Sequence, residues 1–119
     1  MSLNELEAVL RRRRTSAPAG SYSATLVSAP DRASRKVMEE AYELCYELTR
    51  PAIDRQRVTE EAADLLFHVL AGLVAVDVGV DEVLAELEAR RGGSAGHLSA
   101  DGPAAGSPAG DTADARPGE

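Results

Sequence analysis

Two long segments of this chain repeat apolar residues at helical spacing, and each carries a compact acidic cluster beside its apolar stripe. At roughly 100° of rotation per residue, one face of the first segment collects Val37, Ala41, Leu44, Cys45 and Leu48. The matching face of the second collects Val58, Ala62, Leu65, Leu66, Val69, Leu73 and Val76. Because no alternating strand pattern competes with this periodicity, the sequence predicts an all-α fold.

The acidic clusters have the same phase relative to their stripes. The polar side of the first segment carries Glu40, Glu43 and Glu47. The same rotational side of the second carries Glu61, Asp64 and His68. If the two segments pair as an antiparallel hairpin, a two-fold axis brings both polar sides onto one face. The carboxylates predicted to converge there are those of Glu40, Glu43, Glu61 and Asp64.

Converging carboxylates repel each other, so in a partly buried setting they take up protons or bind a cation. Oxygen ligands of this kind suit Mg²⁺, and Mn²⁺ occupies similar sites. The alternative is that each cluster is a solvated helix surface, because Glu favours helices and acidic neighbours at i and i+3 are common. The matched phase of two clusters favours a metal site that processes phosphates.

The pattern predicts a four-helix chain. The helices are expected from Ser2 or Leu3 to Arg13, from 30 or 31 to 48, from 54 to 78 and from 81 to about 91. Predicted caps are Ser2, Asp31, Asp54 and Asp81, and Gly79 is the predicted stop after the third helix. That helix is apolar over more of its circumference than a small monomer needs, because Leu70, Ala71 and Val74 widen its stripe. We therefore expect a packed or intertwined helical-bundle homodimer.

Composition bounds the class of protein. Residues 1–93 are expected to form one small domain, and the Gly-, Ala-, Pro- and Asp-rich residues 94–119 to be disordered. The net charge of −7 argues against nucleic-acid binding. No signal peptide or membrane-spanning run is visible in the sequence, so we expect a cytoplasmic protein. The single cysteine, Cys45, is predicted to be a buried, inert thiol.

Basic residues are clustered despite the acidic balance, in Arg11–Arg14 and around Lys36. An acidic metal site beside guanidinium and ammonium groups suits a phosphorylated small molecule. The alternative for Arg11–Arg14 is that they offset a helix dipole at its C-terminus.

Three stretches together resemble the phosphoribosyl-ATP pyrophosphohydrolase family. They are Ser-Tyr-Ser-Ala-Thr-Leu at 21–26, Lys-Val-Met-Glu-Glu-Ala-Tyr-Glu at 36–43 and Glu-Ala-Ala-Asp-Leu-Leu-Phe-His at 61–68. The resemblance covers roughly residues 3 to 91. It implies the all-α nucleotide pyrophosphohydrolase fold, whose signature is Glu-x-x-Glu followed after a loop by Glu-x-x-Asp. The matching residues here are Glu40, Glu43, Glu61 and Asp64.

The resemblance implies hydrolysis of phosphoribosyl-ATP between its α- and β-phosphates, the second step of histidine biosynthesis. It implies that the four signature carboxylates bind Mg²⁺, that Glu39 is a further ligand or a water-orienting base, and that Lys36 faces the phosphates. Candidate substrate contacts are Ser21, Tyr22, Arg14 and His68. Turn formation and packing explain Ser21 and Tyr22 equally well. For His68, a packed and hydrogen-bonded role is favoured.

Several residues depart from the family pattern near the expected base or ribose. Ala17-Pro18 replaces Asp-Pro, Met38 replaces a common glycine, and Cys45-Tyr46-Glu47 replaces smaller residues. The connection from Pro51 to Arg57 is also slightly long. Two alternatives therefore stay open: a pyrophosphohydrolase acting on another phosphoribosylated or noncanonical nucleotide, and an inactive helical interaction module.

Overall fold

The computed structural model describes residues 1–16 and 18–92, which contain five α-helices and no β-strand. They are α1 (Leu3–Ser16), α2 (Tyr22–Val27), α3 (Pro30–Leu48), α4 (Arg55–Ala75) and α5 (Val80–Gly92). The all-α prediction is confirmed. The predicted disordered tail lies outside the described residues.

The additional helix, α2, lies between the first two predicted helices, in a stretch to which the sequence analysis assigns no helix. Ser21 caps it, because the Ser21 hydroxyl accepts a hydrogen bond from the backbone N–H of Ala24 at 3.3 Å. A helix of six residues is marginal in isolation. Burial of Leu26 and Val27, which are 0% and 1% exposed, stabilises it in the fold. The predicted count of four helices is therefore wrong.

Two predicted helix caps are confirmed. Ser2 and Glu5 form a capping box, in which the Ser2 hydroxyl accepts from Glu5 N–H at 3.0 Å and the Glu5 carboxylate accepts from Ser2 N–H at 3.2 Å. Asp54 accepts from the backbone N–H groups of Gln56 and Arg57, at 3.1 and 3.2 Å. Each cap satisfies donors that the first helical turn leaves unpaired.

Two other predicted caps are wrong by position. Helix α3 already includes Pro30 and α5 already includes Val80, so Asp31 and Asp81 lie inside the first turn of their helices. Proline is well suited to a first helical position, because its missing N–H would be unpaired there anyway.

Helix α4 ends earlier than predicted, through a residue other than glycine. Asp77 adopts φ 61°, its N–H donates to Val74 O at 3.0 Å, and Val78 N–H donates to Leu73 O at 2.9 Å. These two bonds form a Schellman motif, so Gly79 is not the stop. Arg11 donates to the Asp77 carboxylate at 2.7 Å, and this hydrogen bond holds the pKa of Asp77 below its usual range.

Helices α3 and α4 pair as the predicted antiparallel hairpin. Ala33, near the start of α3, packs beside Gly72, near the end of α4, where an added β-carbon would lie 3.5 Å from that of Ala33. Glu47, near the end of α3, bonds to Arg57 at the start of α4. The face of α3 that is buried carries Ala33, Glu40 and Glu47.

The hydrophobic core lies on the face of α4 that the sequence presents as a surplus. Leu70, Ala71 and Val74 are buried there. They pack with Leu10, Leu26, Val27 and Val80, with Leu6, Phe67 and Leu73 at the edge. The predicted main stripe is less covered, since Leu66 is 50% exposed and Leu48 of α3 is 55% exposed. Cys45 is exposed as well, so the prediction of a buried thiol is wrong.

Residues 81–92, the rest of α5, belong to a second unit and are described by themselves. In it Arg90 bonds to Glu86 at 3.1 Å, and Arg91 lies 3.4 Å from Glu88. Among the described residues, no single helix is long and apolar enough to cross a membrane; α4 and α5 reach that length and composition only when counted together.

Replacing Leu26 by alanine tests whether α2 is part of the core. Leu26 is fully buried, so we expect Leu26→Ala to lower the free energy of unfolding by about 2–5 kcal/mol. The matched control is Leu3→Ala, at a leucine that is 41% exposed, with an expected loss below roughly 1 kcal/mol. Urea denaturation followed by circular dichroism measures both. Equal losses would mean that α2 does not pack as described.

Candidate active site

Three of the four predicted metal ligands converge where α3 and α4 pair. Glu40 and Glu43 on α3 and Glu61 on α4 each offer a carboxylate oxygen, and these oxygens lie within 4.8 Å of one another. Glu40 is 8% exposed and Glu43 is exposed. The antiparallel pairing causes this convergence, because it sets one turn of each helix at the same level of the hairpin.

The other acidic residues of the predicted site border this group. Asp64 is exposed and lies one turn beyond Glu61, close enough for its charge to act on the Glu61 carboxylate. Glu39 is exposed and accepts a hydrogen bond from Lys36 at 2.9 Å. That hydrogen bond holds the pKa of Lys36 above its usual range, so the ammonium group stays charged beside the carboxylates.

Each buried carboxylate of the group has one oxygen near a cation and one with no hydrogen-bond donor. Glu40 Oε2 lies 3.7 Å from Lys36 Nζ, and Glu61 Oε2 lies 3.8 Å from Arg57 Nη2. Among the described residues, no group donates a hydrogen bond to Glu40 Oε1 or to Glu61 Oε1, and both atoms are buried. Such oxygens are costly to bury unless a ligand compensates them.

The pKa of Glu61 also indicates a carboxylate that lacks a compensating positive charge. Burial raises the pKa of the Glu61 carboxyl, and the adjacent Glu43 carboxylate raises it further, followed by the charges of Asp64 and Glu40. The ionised form is therefore disfavoured until a positive charge arrives.

The residues present fit a hard divalent cation. Ligands on opposite sides of Mg²⁺ are about 4.2 Å apart, so oxygens within 4.8 Å of one another reach a shared ion after a small side-chain adjustment. The donor set consists of carboxylates alone, which favours Mg²⁺ or Mn²⁺ over softer metals. The two donor-free oxygens of Glu40 and Glu61 are the atoms that an ion would satisfy.

An ion-pair cluster around the buried Glu47 adjoins the carboxylates, and its members are not among the predicted site residues. Glu47 is 2% exposed and accepts from Arg57 Nε and Arg50 Nη1, both at 3.3 Å. Glu47 thereby holds the Arg57 guanidinium beside Glu61. The sequence contains a signal for this: Glu47 follows Glu40 by two helical turns and so shares its buried face.

An open cleft of about 380 Å³ connects the carboxylates with this cluster. It is lined by Tyr42, Glu43, Tyr46, Glu47, Arg57 and Glu61. Anionic and cationic groups and two aromatic rings therefore surround one space. This combination suits a molecule with phosphates and a planar ring.

His68 is packed and hydrogen-bonded at both ring nitrogens. It is 6% exposed, and its Nδ1–H donates to the backbone oxygen of Asp64 at 2.7 Å, because a carbonyl can only accept. Nε2 then accepts from the Tyr22 hydroxyl at 2.9 Å. The rings of Phe67 and Tyr22 lie edge-on to His68, with centroids 5.1 and 5.9 Å away. Tyr22 and His68 thus connect α2 to the turn of α4 that carries Asp64.

Arg14 and Ser21, also predicted as substrate contacts, line a different cleft of about 360 Å³. Arg14 donates to the backbone oxygen of Val74 at 3.0 Å, at the C-terminus of α4. Together with the contact between Arg11 and Asp77, this bond uses the basic cluster of α1 to stabilise the end of α4. The structure therefore supports the dipole alternative for these arginines: Arg13 and Arg14 lie in the last turn of α1, and Arg14 also reaches the end of α4.

Comparison with known proteins identifies the family of this chain. The family model of phosphoribosyl-ATP pyrophosphohydrolase matches residues 3–91. A phosphoribosyl-ATP pyrophosphatase of Roseobacter denitrificans is 44% identical over 92 residues, which cover 76% of this chain and 86% of the relative. One of Agrobacterium fabrum is 41% identical over 92 residues, covering 76% and 84%. The chain belongs to the phosphoribosyl-ATP pyrophosphohydrolase family, whose members are hydrolytic enzymes.

Proposed function

We propose that this chain is a cytoplasmic, Mg²⁺-dependent enzyme of histidine biosynthesis that hydrolyses phosphoribosyl-ATP to phosphoribosyl-AMP and pyrophosphate. The observation that carries the proposal is the convergence of Glu40, Glu43 and Glu61 within 4.8 Å in a chain of this family. Two of these carboxylates keep a buried oxygen without a donor. Burying a carboxylate oxygen without a donor costs free energy, and a bound cation would compensate this cost.

In this proposal Glu40, Glu43 and Glu61 would hold Mg²⁺, and Asp64 would add a carboxylate from the next turn of α4. When bound, the ion would neutralise phosphate charge and lower the pKa of a coordinated water. Glu39, which lies beside the cluster on α3, would orient the attacking water. No covalent protein nucleophile is required, because positioning and charge stabilisation supply most of the catalysis in phosphoryl transfer.

The cationic side chains have separate tasks in this scheme. Lys36 at one side of the cluster and Arg57 at the other are each 3.7–3.8 Å from a buried carboxylate. Both are close enough to contact phosphate oxygens that approach the metal. Because Glu39 and Glu47 hold them by hydrogen bonds, their charges are oriented before the substrate binds.

We also propose that the chain forms a homodimer through the apolar stripes of α3 and α4. These stripes are only partly covered by the core, since Leu48 and Leu66 leave 55% and 50% of their surface exposed. A second copy of the same hairpin would bury them, since an isologous contact pairs one apolar patch with itself.

The carboxylate group is tested by removing one charge at constant shape. We expect Glu61→Gln to lower pyrophosphate release from phosphoribosyl-ATP by about 100-fold or more, because charge stabilisation by the metal is lost. Glu60→Gln is the matched control, since Glu60 is the exposed neighbour, outside the carboxylate group, whose side chain accepts from Gln56 at 2.9 Å. Its activity should stay within a few-fold of the parent. Equal activity of both variants would reject the proposed site.

Metal binding is tested by its linkage to pH. Because the pKa of Glu61 is raised, the metal-free folded state favours the protonated Glu61 carboxyl. The stability that this protonated carboxyl contributes is complete below the ordinary carboxyl range, about pH 4, and is lost as pH rises through the raised pKa. Metal binding needs the ionised carboxylate, so the stability that it contributes increases as pH rises. We therefore expect millimolar Mg²⁺ or Mn²⁺ to raise the melting temperature near pH 7 and to have little effect near pH 4.

Calorimetry with and without metal across this pH range measures the effect. Glu61→Gln should remove both the metal response and the carboxyl contribution to the pH dependence. A metal-induced shift that is the same in this variant as in the parent would contradict the assignment of Glu61 as a ligand.

The dimer is tested by placing a charge on the apolar stripe. We expect Leu66→Glu to sediment as a monomer, because a carboxylate cannot be buried at an apolar interface without a partner. Leu3→Glu, on α1, is the control and should leave the sedimentation coefficient unchanged. A parent chain that is monomeric at all concentrations, or a dimeric Leu66→Glu variant, would reject this interface.

A further inference from the structure

We propose that Tyr42 and Tyr46 form an aromatic wall on which the nucleobase of the substrate stacks. The inference rests on the proposed nucleotide hydrolysis and deepens it, since it assigns the part of the molecule that recognises the base. It concerns residues outside the carboxylate signature of the family.

The position of the two rings is the first argument. Tyr42 and Tyr46 are four residues apart on α3, so their side chains are neighbours on one helix face. Both line the cleft of about 380 Å³ that also contains Glu43 and Glu61. A group stacked on them would therefore be held next to the proposed metal and phosphate position.

The fold itself does not use these rings. Tyr42 is 73% exposed and Tyr46 is 56% exposed, so neither contributes to the hydrophobic core. Tyr46 also points away from the proposed dimer interface, because it is rotated by about 160° from Leu44 of the apolar stripe. The cleft, and not a second subunit, is then the place where the Tyr46 ring can be covered.

The surroundings of Tyr46 suit a planar ligand. The Arg50 guanidinium lies over the Tyr46 ring at 5.6 Å from its centroid and is bonded to Glu47, which fixes the ring from one side. Arg57 extends into the same cleft and supplies a donor for phosphate. A stacked base gains from aromatic area without needing edge hydrogen bonds, and purines offer the larger area.

The kinetic test compares three variants on α3. We expect Tyr46→Ala to raise KM for phosphoribosyl-ATP on the order of tenfold with kcat within about twofold, as expected for loss of stacking. Tyr46→Phe keeps the ring and should restore KM. Asp31→Asn, at an exposed residue in the first turn of α3 and outside the cleft, is the control and should match the parent. An unchanged KM in Tyr46→Ala, or a dimer that Tyr46→Ala weakens, would overturn the proposal.

A binding test separates this inference from the proposed function. The chain has three tyrosines and no tryptophan, so ¹³C-labelled tyrosine gives three ring signals, assignable with single Tyr→Phe variants. With Mg²⁺ present, AMP should shift the signals of Tyr42 and Tyr46, whereas ribose 5-phosphate, which lacks only the base, should not. Equal shifts with both probes, or none with millimolar AMP, would overturn the stacking wall. If the parent chain releases no pyrophosphate, the hydrolase proposal fails while this titration still decides base binding.

Discussion

The antiparallel pairing of α3 and α4 is the constraint on which the rest of the structure depends. It places carboxylates from two helices within 4.8 Å of one another, although their charges repel. The pairing persists because other contacts determine it: Ala33 fits beside Gly72 at one end, and Glu47 bonds to Arg57 at the other. The repulsion is then a local cost, which a cation bound as proposed would convert into binding free energy.

Two cationic side chains lie beside the carboxylate group but form their hydrogen bonds with acids outside it. Lys36 and Arg57 each approach one buried carboxylate, but each makes its shorter contacts with a different acid, Glu39 or Glu47. The cations are therefore close to the site without neutralising it. A phosphorylated ligand that brings negative charge and a metal that brings positive charge would both find partners already in place.

The sequence predicted the convergence of the carboxylates better than it predicted the core. Phase relative to an apolar stripe is a local property of each helix, so residue spacing is enough to put Glu40, Glu43 and Glu61 on one face. Residue spacing does not reveal which other helix covers the apolar residues of α4. Leu70, Ala71 and Val74 look like a surplus on the helix, and they become the core because α1 and α2 pack on that side. Helix α2 itself depends on the burial of Leu26.

The sequence by itself determined the helical class, the hairpin, the caps at Ser2 and Asp54 and the phase of the acidic clusters, because these depend on spacing and on local hydrogen bonding. Only the tertiary structure decided which face of α4 is buried, that Asp77 ends this helix with Arg11 as its partner, and that Glu47 holds Arg57 in the cleft. Each of these outcomes joins residues distant in the chain, and no local pattern encodes which of several compatible partners a side chain will meet.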